Sequence, residues 1–251
     1  MTLVSSTTLV SLLFLQTTAS PPLQAVNDVV TAVSSNVAEF WNLLPDFVCN
    51  EKITSTTYES GKVRDQKIVE SIFTSSNKGS PQREVMAIDG KPAKNNAKMP
   101  GLPVELNMGF GFVIQATFTP SIVTAHNFAF GPKASSDGTL AVQFETKKDQ
   151  QRIKWDLGGK SLVARDAGIA WIDTASMQVA RIERNFLNLP NGLSRMSASS
   201  DYGPVTIGKN TFWLPRTLRI DTSERDPRKT GQYLAEYSNC RKYGAEVSFQ
   251  P

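Results

Sequence analysis

The stretch VNDVVTAVSSNVAEFWNLLPDFVCNEKIT, residues 26–54, changes its apolar period midway, and that change decides the fold. Val26, Val29, Val30, Val33, Val37, Phe40, Trp41 and Leu44 recur at spacings of three and four, which lays one apolar stripe along a helix. Pro45 has no amide hydrogen and cannot continue that helix, so it ends near Leu44. From Phe47 the apolar residues fall at every second position, as in a half-buried strand. A helix with one greasy stripe needs a broad surface to cover, and a sheet starting at Phe47 supplies one.

The alternation then continues almost to the end of the chain. Strands are expected over 67–74, 84–88, 140–147, 151–157, 161–165, 169–173, 178–186, 193–199, 211–222, 232–241 and 245–249. Turn residues separate them at Ser60-Gly61, Asp89-Gly90, Asp137-Gly138 and Gly158-Gly159. Such short strands at regular spacing describe an antiparallel meander, sandwich or barrel. The rhythm breaks only between Lys91 and Pro132. There residues 91–103 read as loop, followed by the apolar, glycine-bearing segment MGFGFVIQATF at 108–118, which ends at Pro120. An insertion of this length is often a lid or binding element. The expected fold is therefore α+β and β-dominated: a curved, half-barrel-like antiparallel sheet packed on an N-terminal amphipathic helix, with a short irregular or helical lid. Residues 26–251 read as one domain, since no linker or repeat divides them.

Residues 1–25 carry no charge and contain the apolar run LVSLLFL at 9–15, with small residues at Ala19, Ser20 and Ala25. This reads as an export signal, so the mature protein is expected to be periplasmic or secreted. It departs from the usual pattern in its lack of a basic start, the first Lys or Arg being Lys52. The run is too short to cross a bilayer, and no integral membrane span is expected. The net charge of +4 is spread over scattered Lys and Arg, which argues against a nucleic-acid partner.

Catalytic groupings are sparse. His126 is the only imidazole, so a histidine-dependent triad would have to use it. At the start of a predicted strand it reads as an ordinary surface or edge residue. One His and two distant Cys do not make a zinc site. Gly158-Gly159-Lys160-Ser161 resembles the end of a phosphate-binding loop, but Lys154 stands where that motif needs glycine, and a hairpin turn explains it. Gly109-Phe110-Gly111 likewise fails as a dinucleotide fingerprint at Ile114. Asp156, Asp166, Asp173 and Glu183 read as scattered acids near strand ends rather than the paired carboxylates of a glycosidase. The residues around Pro227, from Asp221 to Lys229, form a solvated charged tip. Two cysteines in an exported protein invite a disulfide, but Cys49 shares a strand face with Phe47 and Ile53 whereas Cys240 shares one with Glu236 and Lys242, so strict alternation favours two unpaired thiols over the bridge. No cofactor, metal or catalytic residue is expected.

The remaining signal is apolar. Phe110, Phe112, Ile114, Phe118, Phe128 and Phe130 lie in or just after the irregular segment, and Trp171 and Trp213 lie on strands. They either pack a core or line an apolar cavity between sheet, helix and lid, a common form of small-molecule site. The glycines flanking Phe110 would let such a lid move.

Several hairpin segments carry a family likeness. LPDFVC at 44–49, IDGKP at 88–92, AWIDT at 170–174 leading to VARIE at 179–183, DYGPV at 201–205 with FWLP at 212–215, and YSNCRKY at 237–243 resemble exported bacterial proteins similar to the half-barrel of LolA-type periplasmic lipoprotein carriers. The resemblance implies a curved antiparallel sheet that wraps apolar surface under helices and receives acyl chains, without enzymatic residues. On this reading the protein is an envelope binding module whose partner is an apolar small molecule or lipid. The alternatives are a packed domain serving a protein partner and, third, a hydrolase.

Overall fold

Helix α1 (Val26–Leu43) turns the expected valine stripe inward: Val29, Val30, Val33 and Val37 are buried, while Thr31, Ser35 and Glu39 on the other face are exposed. It stops before Pro45, and β1 (Phe47–Glu59) comes directly after. The computed structural model describes residues 25–76, 81–104, 110–131, 138–150, 153–157, 160–189 and 191–244, with the backbone alone at Trp41, Phe112, 153–157 and 160–164. The export signal expected over 1–25 lies, but for Ala25, outside the described residues, as do the strand expected at 245–249 and the Gly158-Gly159 turn.

After β1 come β2 (Lys62–Ser75), β3 (Gln82–Ile88) and β4 (Lys91–Pro92), a short strand where the sequence reads as loop. Pro92 is tolerated because β4 is an edge strand. The insertion forms α2 (Phe112–Phe118) and α3 (Pro120–Val123). The chain continues through β5 (His126–Phe130), β6 (Thr139–Thr146), β7 (Ile153–Leu157), β8 (Lys160–Ala164), β9 (Asp166–Asp173), β10 (Val179–Phe186), β11 (Leu193–Ile207), β12 (Asn210–Glu224) and β13 (Lys229–Lys242).

Eleven of these strands form one open antiparallel sheet in the order β4-β3-β2-β1-β13-β12-β11-β10-β9-β6-β5. It is two meanders joined at the centre, where the first strand pairs with the last from Phe47↔Lys242 to Glu59↔Lys229. Among the described residues β7 and β8 pair only with each other, as a separate two-stranded sheet between β6 and β9 in the chain. Alternate residues of the large sheet face inward, among them Phe47 and Ile53 on β1, Val69 and Phe73 on β2, Tyr233, Ala235 and Tyr237 on β13, and Ile182 on β10. Together with α1 and α2 they make one apolar core.

The two cysteines correct the alternation argument: Cys49 and Cys240 form a disulfide across 191 residues. The register runs Val48↔Arg241 and then Asn50↔Ser238, so β13 carries one extra residue opposite Cys49. Asn239 takes a left-handed φ of 51° there, a bulge conformation Asn tolerates better than most residues. The extra residue flips the parity of the strand beyond it. Cys240 thereby joins the face of Tyr237 and meets the buried Cys49.

Candidate functional site

Helix α2 is the lid expected from the insertion, and its sequence explains its borders. Gly111 caps it at φ 76°, a left-handed conformation that suits glycine. Thr119 is extended, and Pro120 then opens α3 at a position where its missing amide hydrogen costs nothing. Val113, Ile114, Ala116, Thr117 and Phe118 are buried, and the helix packs on α1, α3, β10 and β11. Just before it, Phe110 pins the segment to the sheet centre. Its ring lies 5.1 Å from Phe73, 5.3 Å from Phe47 and 5.0 Å from Tyr237.

Beneath α2 the sheet presents a buried polar cluster that sequence reasoning missed. Asp166, the first residue of β9, and Arg184 of β10 both have fully buried side chains, with Arg184 Nη1 2.8 Å from Asp166 Oδ2. The other carboxylate oxygen accepts a bond from the Thr146 hydroxyl at 2.5 Å and lies 3.3 Å from His126 Nε2. Arg184 Nη2 donates upward to the lid, to the Val113 carbonyl oxygen at 3.0 Å and to the Thr117 hydroxyl. Burial opposes ionisation of Asp166, but the charge of Arg184, with the bonds from His126 and Thr146, outweighs it and holds the carboxyl below its usual range. Tyr202 on β11 is buried as well, and loss of water pushes its hydroxyl up to about 12. His126 corrects the expectation of an ordinary surface or edge residue. β5 is an edge strand, yet its inward parity buries the imidazole fully, near the rings of Phe128 and Phe144.

Gly168 makes room for this arrangement. A Cβ there would fall onto the Glu183 carbonyl oxygen and come within 2.6 Å of Phe144 Cζ. The absent side chain lets the Phe144 ring lie 5.7 Å from the guanidinium of Arg184. A second polar pair sits further along the inner face. Arg83 Nε and Nη2 donate to the two oxygens of the buried Glu51 at 2.6 and 2.9 Å, and Ser71 donates to the same carboxylate at 2.8 Å. Among the described residues no three His, Cys, Asp or Glu side chains are grouped to hold a metal.

The structure brings together part of the apolar set. Phe110, Ile114 and Phe118 are buried in the lid segment, and Phe128 of β5 stacks on Phe118 with centroids 5.8 Å apart. The other members lie elsewhere. Phe130 ends β5 at 36% exposed, and Trp171 lies on the outer face of the sheet beside Arg181, whose guanidinium is 5.9 Å from its ring. Trp213 donates from Nε1 to the Val179 carbonyl oxygen at 2.7 Å and borders a groove of about 530 Å³ with Phe40, Leu43, Lys209 and Phe212, at the C-terminal end of α1. The side chain of Phe112 is not among those described. The polar cluster left one trace in the sequence: Thr146, Asp166 and Arg184 occupy inward positions of strands otherwise apolar on that face, against the alternation.

No family model matches the chain, and no curated protein matches it. Solved structures are similar in fold. One is a domain named for outer membrane lipoprotein sorting from Vibrio parahaemolyticus, at 10% identity and TM-score 0.42, covering 89% of this chain and 96% of that one. A LolA superfamily protein from Nitrosomonas europaea is similar at 10% identity and TM-score 0.42, covering 88% and 95%. A DUF1329 family protein from Desulfovibrio piger is similar at 10% identity and TM-score 0.39, covering 89% and 95%.

Proposed function

We propose that this protein is an exported binding module that holds an apolar ligand, a lipid or acyl chain, between the inner face of its sheet and the helices that cover it. The observation that carries the reading is the construction of the lid. Helix α2 lays Val113, Ile114, Ala116 and Phe118 on an apolar wall, and its polar tie to the sheet runs through Arg184. An acyl chain offers that wall the same kind of contact as α2 does, so lid and ligand compete for one surface. Gly111 and the extended Thr119 border the helix at points where the backbone can turn. Among the described residues no helix is long and apolar enough to cross a membrane.

Native mass spectrometry of the protein after export, with titration of a fluorescent fatty acid, tests the reading. Co-purifying lipid and saturable fatty-acid binding are expected. A protein that emerges free of lipid and binds no fatty acid rejects it.

One observation favours a second reading, a packed domain that serves a protein partner. Phe47, Phe73, Phe110 and Tyr237 fill the sheet centre with rings 5.0 to 6.4 Å apart. That reading predicts no lipid, together with a pull-down partner lost on charge reversal of the β12–β13 tip, where Arg228 pairs with Asp226 at 2.9 Å.

A further inference from the structure

Four arginines among the described residues grip a carboxylate with the same edge, and one of them, Arg181, holds a second carboxylate, Asp201, on Nη1 at 2.9 Å. Arg83 holds Glu51, Arg181 holds Glu183, Arg219 holds Asp221 and Arg228 holds Asp226, each through Nε and Nη2 together. That edge of the planar guanidinium presents two parallel N–H groups, the fork that matches a carboxylate or phosphate. Arg184 departs from the pattern. Its Asp166 partner sits on Nη1 instead. Its Nε is buried with no acceptor among the described residues, its Nη1 meets Asp166 as an ion pair without a hydrogen bond, and its Nη2 is occupied by the Val113 carbonyl oxygen and the Thr117 hydroxyl of the lid. The edge that elsewhere in the molecule grips an anion is here half empty and half filled by neutral oxygens of the covering helix α2.

Resting on the reading of the protein as a carrier of apolar ligands, we infer that the ligand is an anionic amphiphile whose head, a carboxylate or phosphate, takes the Nε–Nη2 edge of Arg184 when α2 lifts. Displacement of the lid strips Nη2 of both its acceptors, and a charged oxygen there is a better acceptor than the amide and hydroxyl oxygens it replaces. Asp166 stays on Nη1, on the far side of the guanidinium. Phe128 and the apolar wall uncovered by Phe118 then receive the chain attached to the head. A neutral lipid can offer that edge only an ester or hydroxyl oxygen, no better an acceptor than the lid oxygens it would displace, so it gains nothing there over the closed lid.

The test compares cis-parinaric acid with its methyl ester on the full-length protein. The acid is expected to bind at least tenfold tighter. In the Arg184→Met, Asp166→Asn double variant, which removes both buried charges together, that preference is expected to vanish while the ester still binds. Equal affinity of acid and ester for the unaltered protein overturns the inference and leaves the carrier reading standing; this comparison needs no variant to fold. Binding of neither probe overturns both. Millimolar inorganic phosphate should leave the bound acid in place, and its displacement by phosphate would assign the edge to a free anion and overturn the amphiphile.

Discussion

The guanidinium of Arg184 ties β10 to the lid: Nη2 donates to the main-chain oxygen of Val113 at 3.0 Å, while Nη1 faces Asp166 at 2.8 Å. One side chain thus links a buried charge on the sheet to the backbone of the helix above it. Removal of Arg184 alone strands the Asp166 carboxylate without a counter-charge, a change that typically costs about 3–5 kcal/mol.

Arg184→Met should therefore lower stability by about that amount in urea unfolding. Arg184→Met combined with Asp166→Asn should recover much of the loss. In that double variant the amides of Gln115 and Thr119, which close the α2 turn to Gly111 and Gln115, should exchange faster with solvent than in the unaltered protein. Unchanged exchange there would mean that apolar packing alone holds the lid.

Acid should act on the same cluster. The Asp166 carboxyl sits below its usual range in the fold, so its contribution to stability is complete above the unfolded value of about 3.9 and is lost as pH falls through the lower folded value. Unfolding free energy measured from pH 6 downward should begin to drop near pH 4 on this account. Asp166→Asn, weaker at neutral pH, should show a flatter profile below that point.

Alkali should act through Tyr202. Burial raises its hydroxyl to about 12, so the neutral form belongs to the fold. Its contribution is complete below the unfolded value of about 10 and is lost as pH rises toward 12, by roughly 3 kcal/mol for two pH units. Tyr202→Phe should reduce the alkaline loss of stability in a pH series of denaturant melts.

Joining residues 191 positions apart, the disulfide closes a loop worth roughly 5 kcal/mol in the chain-entropy model, with measured values more often about 2–4 kcal/mol. A Cys49→Ser, Cys240→Ser protein should lose stability in that range and become insensitive to reductant. Equal melting of oxidised and reduced protein would contradict it.

Gly168→Ala places a methyl group against the Glu183 carbonyl oxygen and the Phe144 ring. The carbonyl belongs to a paired strand and cannot swing away, so the cost should reach the upper end of the roughly 1–3 kcal/mol typical of overpacking. Phe144→Leu in the same chain should relieve only the ring's share.

The hydrophobic periods of the chain were enough to determine the element types: a valine stripe at helical spacing for α1, alternation for the long strands, and Asp89-Gly90 for a hairpin turn. The glycine-aromatic insertion also announced α2 as a separate covering element. These features are local, because side-chain direction is set by backbone geometry over a few residues. Three others were settled only in three dimensions. β1 pairs with β13, a contact that no neighbouring residue specifies. A one-residue bulge at Asn239 reversed the parity on which the separation of Cys49 from Cys240 depended. His126, Asp166 and Arg184 converge from β5, β9 and β10, because polar residues far apart in the chain can share a buried site once the sheet has brought their strands side by side. Alternation along a strand tells which face a residue takes, but the partner it meets there is chosen by strand order and register, which are properties of the whole sheet.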